Sequence, residues 1–248
     1  MQKNKISLLI VILVSLISSS SYAQPGLNKN KAGFALIELF TSEGCSSCPA
    51  AEALLSQVAA EYPLNLYVME YHVDYWNNLG WKDIFSSSDF TERQKTYAGI
   101  IKNSSVYTPQ AIVNGTNEFV GSDRSKMKTA ISKAFSSKFA IDLKIRAVKL
   151  NNEVAVSYMI NDFRKGLLNI ALIQKHAETN VLRGENKGRK LLHINVVRVL
   201  NKVDLMSADG RINIKIPDGL EANNCSIIAF VQDKDTFEVK AVAEHGIY

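Results

Sequence analysis

Cysteine is scarce: the 248 residues hold three, Cys45, Cys48 and Cys225. So small and odd a number excludes a multiply cross-linked secreted scaffold. No second Cys-x-x-Cys follows the pair at 45 and 48, so a four-cysteine zinc site is excluded. Only His72, His176, His193 and His245 are available to complete a mixed one. Charge of one sign is lacking too. The formal net charge of +5 falls to +3 once Lys3 and Lys5 are set aside. Apart from the short loop 183–190 the basic residues are scattered, which excludes a nucleic-acid footprint. No apolar run approaches the roughly 20 residues of a membrane-spanning helix. Internal repeats are absent, and the low-complexity tracts are serine patches at 18–21 and 86–88.

What is present begins with a leader. Lys3 and Lys5 precede an apolar stretch at 6–17, then serines, then Ser21-Tyr22-Ala23. A basic start, a short apolar centre and a small-x-small end predict a signal peptide over 1–23, cut before Gln24. The chain is therefore expected to be secreted or periplasmic, with no stable membrane insertion after cleavage. No cysteine follows the cut, so a lipidated terminus is not expected. A hydrophobic content of 46% is enough for real cores in the 225 residues that remain.

Residues 24–33 read as a flexible lead-in. Residues 34–40 form an apolar run of strand length, and Thr41-Ser42-Glu43-Gly44 a turn. A helix is predicted from about Cys45 to Tyr62, ended by Pro63, and a strand over 64–73. After a loop holding Trp76 and Trp81, a helix is predicted over 89–101. Asn114-Gly115 marks a hairpin, and Asp123 caps a further helix carrying Met127, Ala130, Ile131 and Ala134. Beyond Ser137 the pattern changes to seven strands with no helical stretch. The expected fold is thus an α/β domain over 34–138 followed by a smaller all-β, sandwich-like domain over 139–248.

Strand, turn, Cys45-Ser46-Ser47-Cys48-Pro49, helix is an arrangement with chemical consequences. A cysteine at a helix start faces unpaired N–H groups and the positive end of the helix dipole, which stabilise its thiolate. A second cysteine three residues on is placed to attack a mixed disulfide. Pro49 fits the first turn, where a missing N–H costs little. Opposing activation, Glu43 brings a carboxylate close. A pair at this spacing also suits half of a metal site, or a structural bridge, although closing so short a loop removes little unfolded-state entropy.

Residues 34–62 with this motif, and Tyr107-Thr108-Pro109-Gln110-Ala111-Ile112-Val113-Asn114-Gly115, resemble the thioredoxin-like superfamily. That resemblance implies a cis Pro109 shaping a substrate groove, with Thr108 offering backbone hydrogen bonds to an incoming peptide. It also implies a proton-relaying acid near Glu38, although the spacing from Glu38 to Cys45 is one residue longer than the superfamily's. Over nearly the whole mature chain the sequence is similar to the exported bacterial family catalogued as domain of unknown function 1223 (DUF1223). Carrying this are residues 38–49, His72-Val73-Asp74-Tyr75-Trp76, Gly80-Trp81-Lys82-Asp83, Phe90-Thr91-Glu92-Arg93-Gln94, and Arg183-Gly184-Glu185-Asn186 through His193.

The other constellations read more plainly. His72 and Asp74 share a strand face, where a carboxylate orients an imidazole. Trp76 and Trp81 either anchor their loop or wall a substrate groove. Loop 183–190 reads as a solvated hairpin, and Cys225 as a small buried hydrophobe. The expected function is a thiol–disulfide oxidoreductase with Cys45, Cys48, Pro109 and Glu38 in catalytic roles and Thr108, Trp76 and Trp81 at the groove. It needs no dissociable cofactor, and its partner would be a protein or small thiol. The alternative is a copper or zinc binding protein using Cys45, Cys48 and His72, or an accessory protein whose Cys45–Cys48 bridge is structural.

Overall fold

The computed structural model describes residues 33–102, 104–139, 141–161 and 166–248. The expected signal peptide and nearly all of the lead-in lie outside the described residues. In chain order the elements are β1 (Ala35–Thr41), α1 (Cys48–Glu61), β2 (Leu66–His72), α2 (Ser88–Ile100), β3 (Gln110–Val113), β4 (Asn117–Val120) and α3 (Arg124–Ser136). Seven more strands follow: β5 (Leu143–Leu150), β6 (Glu153–Ile160), β7 (Leu167–Asn180), β8 (Lys190–Asp204), β9 (Asp209–Lys215), β10 (Cys225–Gln232) and β11 (Val239–Gly246). No described helix is long and apolar enough to cross a membrane.

One sheet of eight strands runs in the order β11-β10-β7-β8-β2-β1-β3-β4, and β5-β6-β9 form a second sheet of three. This corrects the expected architecture. The chain is mostly β, and no separate sandwich follows an α/β unit. Four of the seven later strands extend the sheet begun by β1 and β2. The join is β8, which lies parallel to β2 with Glu70 opposite Val196; Asn195 Nδ2 also donates to the Val68 carbonyl at 3.1 Å. Local alternation reveals a strand but not its neighbour. β2 is paired with β1 on one side, and its other edge, if left bare, would expose unpaired N–H and C=O groups beside an apolar run. β8 covers that edge.

Both faces of the large sheet are covered, which is why all seven residues of β1 are buried. Alternation sorts them. Ala35, Ile37 and Leu39 pack with Ala51, Leu55 and Val58 of α1 and Met127 and Ile131 of α3. Leu36 and Phe40 point the other way, toward Tyr71 of β2 and Phe90 and Tyr97 of α2. Farther along, Leu168, Ile170 and Leu172 of β7 and Ile227 and Ala229 of β10 pack on Val154, Val156 and Ile214 of the small sheet. Each fully buried Val, Leu, Ile, Phe or Met among these contributes about 1.5–3 kcal/mol of burial.

The helices begin where the sequence chemistry allows. Asp123 accepts from Lys126 N at 3.0 Å to cap α3, and Ser87 accepts from Asp89 N at 3.2 Å to cap α2. α1 starts at Cys48, three residues later than expected, with Pro49 in its first turn. Cys45 therefore sits in the turn that precedes the helix.

Candidate functional site

Cys45 and Cys48 form a disulfide with a Cα–Cα distance of 5.4 Å. The turn that holds them is closed by backbone bonds from Cys45 N to the Ser42 carbonyl and from Cys48 N to the Cys45 carbonyl. Ser46 and Ser47 face solvent, whereas Cys45 and Cys48 are 1% and 0% exposed.

The cover comes from loops distant in sequence. From the β7–β8 hairpin, Asn186 Nδ2 donates to the carbonyls of Glu43 at 2.8 Å and Cys45 at 3.0 Å. Glu185 accepts from Ser46 N at 3.0 Å. The hairpin reaches this close because Gly184 takes a φ of +74°, and a side chain there would stand 3.1 Å from Trp81 Cβ. Loop 183–190 is the solvated hairpin expected at every residue but Asn186, whose fully buried side chain makes the hairpin a lid over the cysteine turn.

The Thr108–Pro109 bond is cis. Trp76 lies between this loop and the cysteine turn: its Nε1 donates to Thr108 Oγ1 at 2.8 Å, and a side chain at Gly44 would stand 3.1 Å from its Cβ. Trp81 Nε1 instead donates to Glu43 Oε2 at 2.7 Å. Trp76 therefore links the Thr108–Pro109 loop to Gly44, the residue before Cys45, while Trp81 turns toward an acid.

Glu38 is placed elsewhere. It lies on the α2 face of β1, opposite α1, held by the Arg93 guanidinium at 2.6 and 2.9 Å and by Tyr97 Oη. The acid on the cysteine side is Glu52, one helical turn after Cys48 on the buried face of α1, accepting from Thr41 Oγ1 at 2.5 Å.

Glu52 opens onto a buried cluster that sequence reasoning reached only in part. His72 Nδ1 is 2.7 Å from Asp83 Oδ2, not bonded to Asp74 as the strand spacing suggested. Asp74 instead accepts from Thr91 at 2.6 Å. Asp83 is further held by backbone N–H groups of Glu43 and Phe85, each at 2.8 Å. Across from His72 stands His193 of β8, ring centroids 4.9 Å apart, with Glu43, Glu52 and Glu70 around it. Burial pushes the Glu70 carboxyl up to about 7, against the opposing pull of His72. Burial disfavours the His72 imidazolium, but the charge of Asp83 and its hydrogen bond hold its pKa well above the usual range. For His193 burial is likewise outweighed by Glu43 and Glu52, giving about 9. Asp83, despite burial, is lowered by His72.

Glu52, His72 and His193 each present a ligating atom within 4.8 Å of the others. His72 is thus grouped with a glutamate and a histidine, while the two cysteines are bound to each other. The signals for Asn186 and His193 lay in the quoted family residues, but nothing local tied them to the cysteines, 141 residues away in the case of Asn186.

Among solved structures the chain is similar to protein AGR_C_4864 from Agrobacterium tumefaciens. The identity is 24%, the TM-score 0.67, and 86% of this chain and 94% of that one are covered. It is also similar to HBP35 of Porphyromonas gingivalis, at 12% identity and a TM-score of 0.62, with coverage of 87% and 76%. Both likenesses concern the fold alone. A comparison with curated proteins finds no match. The family described as "Protein of unknown function (DUF1223)" matches residues 36–232, so the chain belongs to DUF1223.

Proposed function

We propose that this protein is an exported thiol–disulfide oxidoreductase whose redox centre is the Cys45–Cys48 pair. The observation that carries the reading is the disulfide itself, closed within a Cys-x-x-Cys turn that leads directly into α1. The positive end of the helix and its free N–H groups favour a thiolate there. The motif's resemblance to thioredoxin-like proteins and the neighbouring Thr108–Pro109 loop support the same reading.

In the reduced protein, the Cys45 thiolate attacks one sulfur of a substrate disulfide and expels the other as a thiolate. The Cys48 thiolate then attacks Cys45 Sγ, releases the second substrate thiol and restores the Cys45–Cys48 bond. Two electrons pass to the substrate, and the two protons lost by the cysteines end on its thiols. The reverse sequence oxidises a dithiol. Because both cysteines are buried, a protein or small-thiol partner gains access by displacing the Asn186 lid, with Trp76 and Thr108 bordering the groove.

That same burial favours a second reading, a structural bridge that fixes the turn under the lid. Equilibration in graded glutathione buffers, followed by alkylation and mass spectrometry, separates the two. A reversible two-electron transition between about −120 and −270 mV supports the oxidoreductase. A pair that stays oxidised below about −300 mV leaves the structural bridge.

A further inference from the structure

The buried cluster beneath α1 brings together polar atoms that make no hydrogen bond, at separations that fit a metal. Six of its side-chain atoms have no hydrogen-bond partner: Glu43 Oε1, both Glu70 oxygens, His72 Nε2, and Nδ1 and Nε2 of His193. Buried polar atoms are rarely left so, and here they converge. His193 Nδ1 is 3.2 Å from Glu52 Oε2 and 3.8 Å from Glu70 Oε2. His72 Nε2 is 3.8 Å from the same Glu70 oxygen. Ligands at about 2.0–2.1 Å around a tetrahedral ion stand about 3.4 Å from one another, which these separations bracket.

The outer side of each imidazole completes the pattern. His72 turns Nδ1 to Asp83 at 2.7 Å, which leaves Nε2 for the centre. His193 turns Nε2 toward Glu43 Oε1 at 3.4 Å, which leaves Nδ1 for the centre. Glu43 and Asp83 are themselves fixed, by Trp81 Nε1 and by backbone N–H groups respectively. A carboxylate behind each histidine is the arrangement that orients metal-bound imidazoles and raises their basicity.

We propose that Glu52, His72 and His193 bind a divalent transition ion of the Zn2+ class, with the Glu70 carboxylate beside them and Glu43 and Asp83 orienting the two histidines. Two nitrogen donors disfavour Ca2+ and Mg2+, which take oxygen. Glu70, 3.8 Å from a ring nitrogen of each histidine, is the nearest carboxylate to a fourth tetrahedral position. Binding clamps α1 and β2 to β8, and so joins the early and late parts of the chain. The site uses no cysteine and stands whether or not the disulfide is redox-active.

Full-length protein stripped with chelator is titrated with Zn2+ by calorimetry and with Co2+ by visible absorption. The expected result is one equivalent bound, with the Co2+ bands of a four-coordinate nitrogen–oxygen site and no sulfur charge-transfer band. Glu52→Gln and His193→Gln each weaken binding by more than tenfold, and Asp83→Asn by about 10–100-fold. Cys45→Ser/Cys48→Ser protein binds as wild type does. X-ray absorption of the Zn2+-loaded wild type needs no variant: four light scatterers with two imidazoles support the site. Sulfur scatterers, no stoichiometric binding by wild type, or wild-type affinity in the folded Glu52 and His193 variants overturn it.

Discussion

The guanidinium of Arg93 closes on the carboxylate of Glu38 through bonds of 2.6 and 2.9 Å, with both side chains out of solvent. Arg93 is fully buried and also stands within 5.1–5.6 Å of the ring centres of Tyr71, Tyr97 and Phe230. Removing one member of such a pair strands the other's charge. Arg93→Ala is expected to lower stability by about 3–5 kcal/mol in urea unfolding. In the folded fraction the rate of Cys45–Cys48 exchange with glutathione should stay at the wild-type value, because the pair lies on the α2 face. A large rate change in a folded Glu38→Gln protein would restore the relay role that sequence suggested.

Asn186 sets how readily the disulfide is reached. Its amide donates to two carbonyls of the cysteine turn, so Asn186→Ala strips the donor from Glu43 and leaves Cys45 only the bond from Cys48 N, at a cost of about 1–3 kcal/mol. The lid should then open more often, and reduction by dithiothreitol, followed by thiol labelling over time, should run faster than in wild type.

Trp81 tests the support of Glu43. Its Nε1–H is the donor to Glu43 Oε2, and Glu43 is buried. Trp81→Phe keeps most of the ring and removes the donor, so a loss of about 1–3 kcal/mol is expected, read as a lower denaturation midpoint.

Cys225 should be chemically silent in the native protein. Burial raises its thiol pKa to about 11, and its Sγ donates to the Glu221 carbonyl at 3.2 Å. A raised pKa means that the thiolate is scarce at pH 8 and grows tenfold with each pH unit below 11. Iodoacetamide at pH 8 should label Cys225 only after denaturation, whereas Cys45 and Cys48 label once reduced. Rapid native labelling would contradict this burial.

Thermal unfolding should be one transition, seen together by far-UV circular dichroism and tryptophan fluorescence. Both tryptophans lie before residue 138, and two independent domains would separate the signals. The β2–β8 join predicts that they coincide.

The elements were largely legible because each rests on local pattern. Met127, Ala130, Ile131 and Ala134 repeat at helical spacing and form α3; residues 153–160 alternate and form β6; Asn114-Gly115 turns the β3–β4 hairpin. Partnership was not legible. Nothing near His193 says that it stands 4.9 Å from His72, and nothing near Glu38 tells that its face of β1 meets Arg93 rather than Cys48. A one-residue shift along a strand reverses the face. The odd spacing from Glu38 to Cys45 was therefore the available clue that this acid points away.

The lid also orders events in time. Asn186 follows Cys45 by 141 residues, so in vectorial synthesis both thiols emerge well before the segment that buries them. An oxidant meeting the nascent chain finds the two sulfurs accessible, and the β7–β8 hairpin then covers the bond that has been made.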